Sequence, residues 1–385
     1  MTHSCGDTHD WIIVGGGPHG VCAARALRAA GCAVRIVDPS GGLLNRWCER
    51  ASNVAMTWMR SPILHHLGDK PTNLNHFVRL PENADVSSVS GVFKLPTHAA
   101  FLRHSRGIIE THGLEELVVR GRVEALRRDG EHLIARGPGV ELRARRVLIA
   151  TGSNRLRLPD WSRPLRESGA PIHHVFEREA PLHHDLIGGG VSAIQRALLV
   201  HRETREPVRL WMRRPVSEAE FDYDRDWSKH RFVAEWSNMT EAERFHFLGR
   251  NPAQGSVTPV LTERLERAIR KGALRVETRI PVVEWLPGEG QLRLSVDGDT
   301  FNSPGITLVT GFEDERVDGW LAETAAALGL PVIEGLPRLD GDMHWGAGVH
   351  VTGPLALLRL GPMARNIVGA RWATSRLPGV QLQPL

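Results

Sequence analysis

Two sets of small residues in this 385-residue chain have the spacing needed to cradle a pyrophosphate. The first is Gly15, Gly17 and Gly20 in the run GGGPHG, directly after the apolar stretch Trp11-Ile12-Ile13-Val14. Glycine at these places permits a tight turn, lets the backbone approach a phosphate and lets the next helix pack closely on the strand. Pro18 suits a first helical position, so Pro18, His19 and Gly20 should open a helix running to Ala30. Its amino-terminal N–H groups would point at the phosphates. The following strand, Ala33-Val34-Arg35-Ile36-Val37, delivers Asp38 18 residues past Gly20, near the distance expected of a carboxylate that grips a ribose diol.

The second set repeats the arrangement with different chemistry. Strand Asp185-Leu186-Ile187 leads into Gly188 and Gly190, with Ala193 in place of a third glycine and a helix from Ser192 to about Arg202. After the next strand, Val208-Arg209-Leu210-Trp211-Met212, the place of the carboxylate is taken by Arg213 and Arg214, the first of them 20 residues past Ala193. A carboxylate there would repel a 2′-phosphate, whereas guanidinium groups bind one bidentately. The second site therefore reads as selecting NADPH, against the plainer reading of a solvated strand end in an arginine-rich chain.

With both turns in place, the chain resembles the two-dinucleotide-binding flavoproteins. Within them it is similar to the class B flavin monooxygenases, particularly the N-hydroxylating lysine and ornithine monooxygenases. Val147-Leu148-Ile149-Ala150-Thr151-Gly152 matches the strand by which such chains leave the FAD domain, and Leu308-Val309-Thr310-Gly311-Phe312 resembles a second strand of this kind. Met56 to Leu64 looks like the loop that the family sets beside the flavin, and Trp47, in a Gly-Gly-x-Trp-like context, would place its indole near the same ring. Where many relatives hold the ribityl chain with Gly-Asp, this chain has Thr352-Gly353-Pro354. Gly361 and Pro362 open what looks like the terminal helix, and a helix amino terminus aimed at the flavin pyrimidine would stabilise charge that develops on reduction.

The resemblance implies an α/β protein in which an FAD-binding Rossmann-like domain carries an inserted NADP-binding Rossmann-like domain. Residues 1–158 and 313–385 would form the first and 159–312 the second. It implies an FAD- and NADPH-dependent oxidoreductase, a monooxygenase that hydroxylates a nitrogen or sulfur of a small molecule through a flavin hydroperoxide. The alternative is a non-oxygenating reductase that passes electrons to a quinone, disulfide or protein carrier, and a third class keeps both sites as a redox sensor or scaffold.

Composition bounds these readings. A chain that is 41% hydrophobic and 24% charged is ordinary for a globular protein with sizeable cores. The net charge of +4 and pI near 9.1 come from arginines interleaved with acids, as in Glu263-Arg264-Leu265-Glu266-Arg267, which argues against nucleic acid. No run approaches a membrane span and the start lacks a secretory pattern, so a cytoplasmic protein is expected, its oligomeric state left open. Cys5, Cys22, Cys32 and Cys48 form no C-x-x-C pair and no metal-ligand spacing. Cys48 stands roughly where single-cysteine flavoprotein reductases keep a redox thiol, but its flanking residues do not match them. His65, His66, Asn73, Asn75 and His76 are polar residues after the Met56 loop, each more readily read as surface or core than as substrate ligand. No catalytic side chain or nucleophile triad is identifiable.

Overall fold

The computed structural model describes residues 8–91, 93–221, 224–228, 230–249 and 255–381. Asn251-Pro252, where the helical patches of the segment from Phe221 to Gly255 read as ending, and Cys5 lie outside them. The chain opens with strand β1 (Thr8–Val14), helix α1 (Pro18–Ala29), strand β2 (Val34–Asp38), helices α2 (Asn45–Asn53) and α3 (His98–Thr111) and strand β3 (Val118–Arg120). The hairpin β4 (Ala125–Asp129) and β5 (His132–Gly137) then leads into β6 (Val140–Ile149). A second series follows: β7 (Ile172–His174), β8 (Asp185–Ile187), α4 (Val191–Thr204), β9 (Val208–Trp211), α5 (Pro259–Arg270) and β10 (Leu274–Glu277). An antiparallel trio, β11 (Val282–Leu286), β12 (Gln291–Val296) and β13 (Asp299–Ser303), precedes β14 (Ile306–Leu308). The chain closes with β15 (His344–Gly346), β16 (Val349–Val351) and helix α6 (Ile367–Thr374).

The first sheet has eight strands, with the order β15-β16-β6-β1-β2-β3 and the hairpin β4-β5 joined through β5 to β6. Strands β16, β6, β1, β2 and β3 run parallel. Both faces of β1 are covered, which is why it reads as an unbroken apolar run. Ile13 turns to the side of α1, α3 and α6, with Val21, Phe101 and Ala370, while Ile12 and Val14 meet Leu126, Leu133 and Trp345 on the other side. The last strand, β16, aligns Val349 with Val147 and Val351 with Ile149, so the chain returns to this sheet from its far end.

The second sheet has the order β10-β9-β8-β14-β7, all parallel. Leu186 and Leu210 pack with Ala193, Ala197 and Leu261 of α4 and α5. Its other face, with Ile187, Trp211 and Leu308, is covered by Leu292 and Leu294 of the antiparallel trio. At the strand entry, buried Asp185 accepts from Trp211 Nε1 at 3.0 Å and pairs with Arg209 at 2.8 Å.

The two chain segments joining the sheets lie side by side. Arg157 N donates to Gly311 O at 3.0 Å, Glu313 N donates to Arg155 O at 2.9 Å, and Leu156 and Phe312 form an isolated antiparallel bridge. Two local expectations differ. The segment from Pro159 to Pro171, whose residues read as a linker, contains a short helix, Ser162–Glu167. The terminal helix does not start at Gly361-Pro362: Gly361–Arg365 is a 3₁₀ turn, Asn366 is extended, and α6 starts at Ile367. Gly361 has φ +73°, outside helical space, so the Pro that suits a helix start here serves a tighter turn.

Candidate functional site

The first glycine turn is built as its spacing predicts. Gly15 has φ +117°, and a Cβ there would collide with Ala150 O and lie 3.4 Å from Thr151 Cα, which puts the end of β6 against the turn. A Cβ on Gly20 would collide with Gly15 O. Gly17, the N-cap of α1, is different: a Cβ there would meet nothing within 4 Å. The open side of Gly17 and the free amino-terminal N–H groups of α1 are what a phosphate group needs. Asp38 closes the turn from β2, its Oδ2 accepting from Gly16 N at 2.8 Å and its Oδ1 from Ser40 N at 2.8 Å and Ser40 Oγ at 2.5 Å. Oδ1 is thereby filled, and Oδ2 keeps one acceptor site for a diol. The Ser40 contact is signalled by Asp-Pro-Ser, an Asx-turn pattern.

The carboxyl-terminal segment reaches the same place. Thr352, at the end of β16, sets its Oγ1 2.8 Å from His19 Nδ1, and a Cβ on Gly353, which has φ +78°, would lie 3.9 Å from that nitrogen. Burial lowers the pKa of His19 to about 4, so its ring is neutral. Gly152 follows β6 with φ +66° and open space on its Cβ side. A Cβ on Gly361, which precedes Pro362, would lie 3.3 Å from the Trp236 ring. Trp236 and Phe232, on helix His230–Asn238, cluster with Trp227 and Met363.

Helix α2 carries Trp47 and Cys48. The Trp47 ring stands 4.9 Å from His98 and 5.1 Å from Phe101, both on α3. Cys48 is half-buried against the same core, and burial pushes its thiol up, so it is a weak nucleophile at neutral pH. His65 and His66 are core residues: Arg371 donates to the carbonyls of Gly68 and Asp69, Arg25 to that of Leu67, and burial lowers both histidines to about 4. Asn73 Oδ1 accepts from Lys70 N at 2.7 Å, a local turn contact.

In the second turn, a Cβ on Gly188 would collide with Val309 O, and Ala193, fully buried, places a methyl where the first turn has Gly20. Gly190 is the N-cap of α4, with Ser192 in its first turn. Beyond β9, Arg213 and Arg214 are both exposed on the carboxyl side of the sheet. The sequence did not single out Arg60. Its guanidinium donates to Ser256 O at 2.7 Å, Ser256 Oγ at 2.7 Å and Ala219 O at 2.9 Å. It thereby ties the Met56 loop to both ends of the segment inserted after β9, beside Gly190, whose Cβ would lie 3.7 Å from Gly255 O. Among the described residues no group of three or more His, Cys, Asp or Glu side chains is placed to hold a metal ion. No described helix is long and apolar enough to cross a membrane.

Residues 9–226, more than half of the chain, match the pyridine nucleotide-disulphide oxidoreductase family. No curated relative matches the chain. Among solved structures, the fold is similar to an ornithine N-hydroxylase from Kutzneria sp. 744, with TM-score 0.72 and 15% identity over 96% of this chain and 97% of that one. It is also similar to an ornithine hydroxylase from Pseudomonas aeruginosa, with TM-score 0.72 and 18% identity over 96% and 98% of the two chains. The likeness to a bacillithiol disulfide reductase from Bacillus cereus is lower, with TM-score 0.57 and 16% identity over 96% and 98%.

Proposed function

Because the chain belongs to the pyridine nucleotide-disulphide oxidoreductase family, we propose that it is an FAD-dependent NADPH oxidoreductase that hydroxylates a nitrogen or sulfur of a small molecule. The observation that carries this reading is the pair of glycine turns at the carboxyl ends of parallel strands in two sheets, the first furnished with Asp38 and the second with Arg213 and Arg214. The first turn fits FAD in its adenosine and pyrophosphate parts: an open Gly17, a helix amino terminus and a carboxylate at the next strand end. On this reading residues 1–158 and 313–385 form the FAD domain and residues 159–312 the NADP domain.

When bound, FAD supplies two-electron acceptance from the nicotinamide and the means to activate dioxygen. The chain's part is to bind, orient and exclude water. The N–H groups at the start of α1 hold the pyrophosphate, Asp38 accepts from the ribose, and Thr151, Gly152 and Gly353 leave room for the chain leading to the ring. Gly188, Gly190 and the start of α4 take the second pyrophosphate, and the guanidinium groups of Arg213 and Arg214 take the 2′-phosphate. Arg60 holds the inserted segment against the Met56 loop, so that the reacting atoms are shielded from bulk water.

Two observations favour hydroxylation over the reductase reading. The fold is more similar to the N-hydroxylases than to the disulfide reductase, and the Cys48 thiol is pushed up where a redox thiol needs to be pushed down. The test is NADPH oxidation by the purified protein with and without candidate amines, following oxygen uptake and peroxide together. Amine-dependent oxygen consumption with falling peroxide yield is expected. NADPH oxidation that needs a disulfide or quinone, spares oxygen and is lost in Cys48→Ser would replace this reading with the reductase.

A further inference from the structure

We propose that His19 and Thr352 form a hydrogen-bonded pair that holds the part of the dinucleotide between its pyrophosphate and its flavin ring, with Nε2 of His19 as the donor to the ligand. The proposal rests on the reading of the first turn as an FAD site. Its ground is the convergence of two segments more than 330 residues apart on one imidazole. His19 is the second residue of α1, two positions past Gly17, so its ring stands at the helix end where a phosphate is received. Nothing in the turn itself demands an imidazole, since the steric requirements fall on Gly15 and Gly20.

The polar atoms of the ring are unequally served. Nδ1 lies 2.8 Å from Thr352 Oγ1, and Thr352 is itself 3% exposed. Nε2 is buried and makes no hydrogen bond within the chain. A buried imidazole nitrogen without a partner is uncommon in a native protein, and it is explained when a ligand completes it. The ring is neutral, so it carries one proton. With the Thr352 hydroxyl donating to Nδ1, that proton sits on Nε2 and is available to a phosphate or ribityl oxygen. Thr352 thereby acts as a positioning residue: its hydroxyl holds the ring in place, and when it donates to Nδ1 it leaves Nε2 as the donor. Glycine at 353, where a Cβ would stand 3.9 Å from Nδ1, leaves the space beside the ring open.

The test measures FAD binding to the apoprotein by flavin fluorescence quenching, with NADP⁺ binding and the melting curve as controls. His19→Ala should weaken FAD by about tenfold or more, the loss expected for a hydrogen bond to a charged group. Thr352→Val, which keeps the imidazole but frees its tautomer, should weaken FAD by a smaller factor and alter the visible band of the bound flavin. Thr352→Ser should restore both. NADP⁺ binding should stay unchanged throughout. If His19→Ala loses its cooperative melt, the Thr352 pair of variants decides alone. FAD affinity within about twofold of the parent in Thr352→Val, with an unaltered visible band, overturns the proposal. A parent protein that binds no FAD overturns the reading of the first turn instead, and the proposal falls with it.

Discussion

Gly17 and Gly20 lie three residues apart in one turn, yet a single added methyl should do opposite things to them. At Gly20 it meets the carbonyl oxygen of Gly15 and has nowhere to go, so Gly20→Ala should destabilise the fold by about 1–3 kcal/mol, visible as a lowered melting temperature. At Gly17 it meets open space on an ordinary extended backbone. Gly17→Ala should therefore melt like the parent while losing FAD, because the methyl occupies the approach of the pyrophosphate. Equal FAD affinity in that variant would show that the open face is not the phosphate site. At the second turn, neutral replacement of Arg213 and Arg214 together should raise the NADPH Michaelis constant by about tenfold or more and leave NADH little changed. An equal rise with both nucleotides would mean that neither guanidinium touches the 2′-phosphate.

Helix α2 fastens the first sheet to the joining segment after β6 and to the end of β7 in the second sheet. Arg46 donates to Phe176 O at 2.9 Å, Arg50 to Ser153 O at 2.8 Å and Asn53 to Val175 O at 2.9 Å, while Arg196 of α4 donates back to Asn53 O at 2.7 Å. The Arg50 guanidinium also lies 4.6 Å over the Phe312 ring, which stacks on Phe176 at 5.1 Å. Arg50→Ala should loosen this joint, seen as faster hydrogen exchange or proteolysis in residues 151–158 with the two sheets still protected. These fasteners are invisible in the sequence, where Arg46, Arg50 and Asn53 are only three polar residues of a short helix. The glycine turns are legible because each needs a particular residue at a particular step, and strand β1 because both of its faces are buried. The antiparallel trio from Val282 to Ser303 is not: its strands mix charged with apolar residues, and of the side chains packed on the sheet they cover, Leu292 and Leu294 are fully buried while Val283, Trp285, Val296 and Phe301 are only partly so. The terminal turn misleads for another reason, since Pro362 serves a 3₁₀ start as well as an α-helical one. Likewise Arg60 gains its role only from carbonyls 159 to 196 residues away.

For the molecule as a whole, buried neutral histidines tie stability to pH. His65 and His66 are lowered to about 4 and His104 to about 3, chiefly by burial, with Arg25 and Arg371 adding to the effect at His66 and Arg371 at His65. Unfolded histidines titrate near about 6.5, so between that pH and about 4 the unfolded chain binds more protons than the native one. Stability from these residues is full above about 6.5 and is lost as the pH falls, by about 1.4 kcal/mol per pH unit for each histidine. The melting temperature should drop between pH 7 and 5, and less steeply in His104→Phe, whose ring would remain among His66 and Phe77. An unchanged slope would show that His104 takes up no proton on unfolding. The return of β16 to the first sheet has a consequence for synthesis. Val147 waits for Val349, 202 positions later, before its edge is paired. At about 5–20 residues per second a ribosome needs roughly 10–40 s to deliver that partner. Throughout that interval the last residues of β6, Val147 to Ile149, offer an open strand edge to any neighbouring chain, while the second sheet, complete by Leu308, can already fold. Nascent chains released between residues 310 and 350 should consequently be the species that chaperones hold longest.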